Sequence, residues 1–105
     1  MGLFMREYDI YIPMIQNDGS ASDPAAINGI KEELAEAFGG YTYFRQRNEG
    51  VWNFGGVTFR DEVTILRVLG NGRSNFDMAS FKQKTEAILR QKTILIVARD
   101  VSVIE

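Results

Sequence analysis

The side chains able to bind or move protons concentrate in the middle of the chain. Tyr43, Arg45 and Trp52 precede Arg60, Asp61 and Glu62, and six of the twelve aromatics lie between Tyr41 and Phe59. Aromatic rings and guanidinium groups together can clamp a planar or anionic ligand by stacking and bidentate hydrogen bonds. On paired strands, alternate residues share a face, so Tyr43, Arg45, Trp52, Arg60 and Glu62 are expected to converge on one binding surface. The competing reading of the same residues is a homodimer interface, where Tyr, Trp and Arg are enriched.

The chain has no His and no Cys. The commonest general base, thiolate nucleophiles and thiolate metal sites are therefore excluded. Catalysis would fall to carboxylates, Tyr, Lys, Arg, Ser or Thr, and a metal would have to be a hard ion held by oxygens. Asp61 and Glu62 are adjacent, so in a strand they point to opposite faces and cannot share one proton or one ion. One is expected to pair with Arg45 or Arg60 and the other to be solvated. Glu62 is the candidate acid/base carboxylate, raised in pKa inside a dimer-enclosed pocket, with Tyr11 beside it. No cofactor and no resident metal are expected.

Two loops precede helices and could cradle a phosphate: Asn17-Asp18-Gly19-Ser20 and Gly70-Asn71-Gly72-Arg73-Ser74. Neither carries a phosphate-loop lysine, and turn chemistry explains both.

The elements follow from periodicity. Tyr8, Ile10 and Ile12 alternate with Asp9 and Tyr11 as in a strand. Asp23-Pro24 opens a helix with Ile27, Ile30, Leu34, Ala37 and Phe38 on one side, and Gly39 closes it. Tyr41 to Arg47 forms a strand by β-propensity. Asn48-Glu49-Gly50 and Gly55-Gly56 are both turn signals, either able to form the hairpin apex with the other a bulge or kink; the first is favoured, with Gly55-Gly56 bending the returning strand. Val57, Phe59, Val63, Ile65 and Leu69 share one face of that strand and Thr58, Arg60, Glu62 and Thr64 the other. Ser74 with Asp77 suggests a capping box for a helix carrying Met78, Phe81, Thr85, Ile88 and Leu89. Thr93 to Val101 is a last strand, extended by Val103-Ile104.

This β-α-β-β-α-β order gives an α+β fold. It is a ferredoxin-like plait, a four-stranded antiparallel sheet with both helices on one face. One domain spans residues 1–105. The uncovered face should carry Asp9, Tyr11, Arg60, Glu62, Thr64, Leu66 and Val68, which is too apolar to be simply solvated. A homo-oligomer, a dimer at the simplest, is therefore expected, with a small ligand or a protein as a further partner.

The sequence around Phe38-Gly39-Gly40-x-Thr42, Gly50-x-Trp52 and Asp61-Glu62 resembles a group of small uncharacterised bacterial plait proteins. They share a Gly-x-Thr strand start, a Gly-x-Trp hairpin and an acidic residue opening the third strand. The resemblance covers a third of the chain. It implies the plait and a role for the hairpin, and no activity. Tyr8-Asp9-Ile10 looks like the strand motif of small CRISPR-associated plait nucleases, whose paired Asp residues hold a metal across a dimer. Here the strand runs on through Tyr11-Ile12-Pro13, and the downstream basic residues are absent.

The net charge of −2 argues against nucleic acid as a partner, although eight of the twelve basic residues are Arg. Met1 to Met5 is too short for a signal-peptide core, and Arg6 stands where a myristoylation motif needs Ser or Thr. No segment approaches the roughly 20 apolar residues of a membrane span. These features point to the cytoplasm.

Overall fold

A computed structural model describes residues 2–71 and 75–105. The order is β1 (Gly2–Pro13), α1 (Pro24–Phe38), β2 (Thr42–Phe54), β3 (Val57–Gly70), α2 (Met78–Ile88) and β4 (Ile96–Ile104). The strands form one antiparallel sheet in the order β2-β3-β1-β4. This is the ferredoxin-like plait, with both helices on one face.

Local chemistry sets the helix ends. The Asp23 side chain accepts from the Ala25 amide at 3.0 Å, and Pro24 occupies the first turn. Gly39 closes α1 in the left-handed region at φ 81°, its N–H donating to the Ala35 carbonyl. Asp77 caps α2 by accepting from the Ser80 amide. The expected capping role of Ser74 lies outside the described residues, as do Gly72 and Arg73 of the second candidate anion loop. In the first such loop, the Asp18 carboxylate accepts from both the amide and the hydroxyl of Ser20, which is turn chemistry.

The core lies between the helices and one sheet face. Ile27, Ile30 and Leu34 of α1 and Phe81 of α2 pack on Ile10, Ile12, Leu66 and Val68, with Leu89 and Ile94 closing one end. This corrects the expected facing of β3. Thr64, Leu66 and Val68 lie under the helices, while Val63, Ile65, Arg67 and Leu69 alternate with them onto the open face. Both rows of β3 are apolar at this end, so periodicity alone could not choose between them. The buried row is fixed by its neighbours: the Tyr43 hydroxyl donates to Thr64 Oγ1, and Thr64 in turn contacts the Met14 sulfur.

Of the two turn signals, the structure uses the second as the hairpin apex. The strands turn at Gly55-Gly56, with φ of 58° and 80°, and Phe54 pairs with Val57. Two consecutive positive φ angles give the tight turn that matches strand twist, which two glycines adopt without strain. Asn48-Glu49-Gly50 instead lies inside β2, just after an irregularity between Phe44 and Asn48. A Cβ at Gly50 would come within 2.9 Å of Trp52 Cζ3, so any larger residue there would make the indole shift.

The reassigned face is directly testable. Leu66→Ala should lower the unfolding free energy by about 3 kcal/mol in urea titration, as for a fully buried leucine. A loss below about 1 kcal/mol would return Leu66 to the open face.

Candidate functional site

The face that the helices leave open is built around a carboxylate. Asp9 of β1 stands opposite Arg67 of β3 and Val97 of β4. Although no helix covers it, Asp9 is only 3% exposed. Arg67 grips it with two bonds, Nε to Oδ1 at 2.7 Å and Nη2 to Oδ2 at 3.0 Å. Arg99 of β4 adds a third, Nη1 to Oδ2 at 2.9 Å. Glu7 completes the set, accepting from Arg99 and lying 3.3 Å from Arg67 Nε. The Arg67 guanidinium also sits 5.0 Å over the Phe44 ring. Two acids and two arginines thus cancel. The bonds from Arg67 hold the Asp9 pKa below the usual carboxylate range, against the desolvation that would raise it.

Apolar residues surround this neutral cluster. Val63, Ile65 and Leu69 of β3, Tyr11 of β1 and Val97 of β4 share its face by register. The same row of β3 continues beyond the body into the hairpin as Val57, Phe59 and Asp61. There Phe54, Trp52 and Gly50 of β2 stand opposite. Trp52 and Phe59 stack at 6.0 Å between centroids. The hairpin is therefore amphipathic: Thr58, Arg60 and Glu62 occupy its other side.

This arrangement separates the five expected binding residues. Trp52 lies on the open-face side, whereas Arg60 and Glu62 lie on the opposite one. Tyr43 is drawn toward the helices, its ring under Lys31 Nζ at 3.9 Å. Arg45 is exposed within the irregular stretch of β2. Glu62 pairs with Arg47 at 3.0 Å rather than with Arg45 or Arg60. Tyr11 and Glu62 fall on opposite faces, because Tyr11 pairs with Ile65 and Glu62 lies three residues away from it on β3. Asp61 is half-buried, not solvated. Desolvation raises its pKa, and it makes no ion pair among the described residues.

A cation at Asp9 would have to displace two arginines. Among the described residues, no group of three or more acidic side chains is placed to hold a metal ion. No helix among them is long and apolar enough to cross a membrane. Sequence reasoning missed Arg67 and Arg99. The available signal was the pairing of Asp9 with strands that carry Arg67 and Arg99.

No family model and no curated protein matches the sequence. Solved structures do match the fold. A divalent cation tolerance protein (CutA1) from Thermus thermophilus gives a TM-score of 0.59 at 14% identity, over 92% of this chain and 84% of that one. A phage SAM lyase in complex with S-methyl-5'-thioadenosine gives 0.58 at 7% identity, over 96% and 90%. The divalent ion tolerance protein CutA1 from Ehrlichia chaffeensis gives 0.53 at 14%, over 96% and 83%. At these identities the likeness is one of fold, and the chemistry of the open face belongs to this chain's own residues.

The Asp9 cluster makes stability depend on pH in a defined direction. Because the folded pKa of Asp9 is depressed, its contribution is present above the unfolded value of about 3.9 and is lost as pH falls through the folded value. Arg67→Met should cost about 2 kcal/mol at neutral pH, typical of a lost charged hydrogen-bond pair. It should also shrink the loss of stability on acidification, since burial then acts on Asp9 with less compensation and its folded pKa lies closer to the unfolded one. Urea unfolding across the acid range reads both effects. Identical pH profiles for variant and parent would show that Arg67 does not hold Asp9.

Proposed function

We propose that this chain is a non-enzymatic module that assembles with copies of itself through the open sheet face and the hairpin. A dimer is the smallest such assembly. The carrying observation is the largely apolar row along β3 and its hairpin, interrupted on the sheet by charges that are already neutralised within the chain and in the hairpin by Asp61, which burial pushes toward its neutral form. Burying a charge is costly unless it is paired and hydrogen-bonded. Asp9 and Arg67 meet that condition before any partner arrives, so this part of the face can be covered without orphaning a charge.

The hairpin supports the same reading. Among the described residues no helix packs against its apolar side, and Phe54 is 67% and Val57 53% exposed at the tip. At about 3.3 Å per residue, the 14 residues of β3 give the row a length of about 46 Å. That is ample for a standard interface of roughly 1,600 Å². Arg45 and Arg60 make no ion pair among the described residues and are exposed, which leaves them to a small anionic ligand or a protein partner at the rim.

A second reading rests on the fold likeness to a SAM lyase. In an assembly, Glu62 at the base of the hairpin would be the acid/base carboxylate of a small enzyme that needs neither His nor Cys. Incubation with SAM, followed by chromatography for S-methyl-5'-thioadenosine, tests it. Turnover that Glu62→Gln abolishes without loss of stability would establish this reading over the non-enzymatic one.

For assembly, the double variant Trp52→Ala, Phe54→Asp should weaken association by about 30-fold, the effect of removing an interface hot spot worth about 2 kcal/mol. Its circular dichroism should stay that of the parent. Sedimentation velocity across a dilution series reads the change. A variant that associates as tightly as the parent would remove the hairpin from the interface.

A further inference from the structure

The helix-covered side of the sheet holds a cleft of 590 Å³, at the end where α1 finishes and α2 begins. It lies on the side opposite the proposed assembly surface, so it stands independently of that reading. Its volume is in the range of small-molecule sites. Tyr8, Phe38 and Phe76 line it as a linked series of tilted rings, with centroids 6.0 and 5.2 Å apart. Phe76 is anchored in turn against the buried ring of Phe81 at 5.5 Å. Gly70 seats this wall: a Cβ there would lie 3.1 Å from Phe38 Cε1. The rings are therefore held in place before any ligand arrives.

The rim is polar and has a specific pattern. Arg6 and Asp100 are directly paired across β1 and β4, with Arg6 Nε donating to Asp100 Oδ1 at 3.4 Å. Arg6 also bonds the Tyr8 side chain, and together these bonds still leave donors of the guanidinium and acceptor positions of the carboxylate open. The guanidinium has five N–H donors, and a carboxylate accepts about four bonds. Their side chains are 51% and 84% exposed. A donor and an acceptor thus stand side by side above an aromatic wall.

We propose that this cleft binds a planar heteroaromatic small molecule of the nucleobase class. The ring would stack against the aromatic wall. An exocyclic amine would donate to Asp100, and a ring nitrogen or carbonyl oxygen would accept from Arg6. Nucleobases carry such adjacent donors and acceptors on their edges and present a π-face for stacking. A purely apolar ligand would leave the Arg6–Asp100 rim unused, and a simple anion drawn to Arg6 would be repelled by the Asp100 carboxylate beside it.

Isothermal titration of the full chain with adenosine, guanosine, cytidine and uridine, and with indole as an apolar planar control, tests the assignment. At least one nucleoside should saturate one site per chain and bind more tightly than indole. Asp100→Asn should weaken it about tenfold, the loss expected for one charged hydrogen bond. Because Asp100 is exposed, the variant should melt with the parent. Gly70→Ala, which pushes on Phe38, should weaken the same ligand. No saturable binding of any nucleoside, indole binding as tightly as the best nucleoside, or affinity unchanged by Asp100→Asn would each overturn the proposal.

Discussion

The carboxylate of Asp9 sits at the centre of a sheet face that no helix covers, and it is nearly inaccessible because two arginines fold across it. An unpaired charge there would be costly in any state that excludes water. Paired by Arg67 and Arg99, with Glu7 balancing the second guanidinium, it becomes part of a neutral patch on which Phe44 can lie. The pairing ties β1 to both of its neighbours through side chains as well as backbone. It also fixes which row of β3 faces outward, because Arg67 can reach Asp9 only from that side.

The choice of row then propagates along β3. Since side chains alternate, placing Arg67 on the open face places Ile65, Val63, Phe59 and Val57 there too. Beyond the body this row has no helix beneath or above it. Trp52 stacking on Phe59 shields part of it, over the space that Gly50 leaves free of a side chain. The hairpin tip stays apolar and exposed, and the polar row of Thr58, Arg60 and Glu62 is left on its back. A two-stranded ribbon of this kind is marginal alone in water. Contact with a second copy would supply the missing layer.

Much of this is legible in the sequence. Asp23-Pro24 and Gly39 bound α1 by cap chemistry, and strand periodicity with two amphipathic helices is enough for the plait. The concentration of aromatics between Tyr41 and Phe59 marks the hairpin. Its internal geometry is not legible, for two physical reasons. Gly50 carries a turn-like signal but is small to accommodate Trp52, whereas Gly55 and Gly56 hold the positive φ angles of the actual turn. Val63 to Leu69 is apolar on both rows, so only tertiary partners, Tyr43 for Thr64 and Asp9 for Arg67, decide its facing. Spacing alone therefore groups Tyr43, Trp52 and Glu62 on one surface, although the strands send them to different sides. The Arg6–Asp100 cleft depends on a pairing between the two ends of the chain, which no local pattern announces.

Light scattering coupled to gel filtration, applied to the unmodified protein, tests the central claim most directly. A chain of 11.9 kDa that covers its open face with copies of itself should elute as a species of twice that mass or a higher whole multiple. A single species at 11.9 kDa, persisting at the highest attainable concentration, would contradict self-assembly.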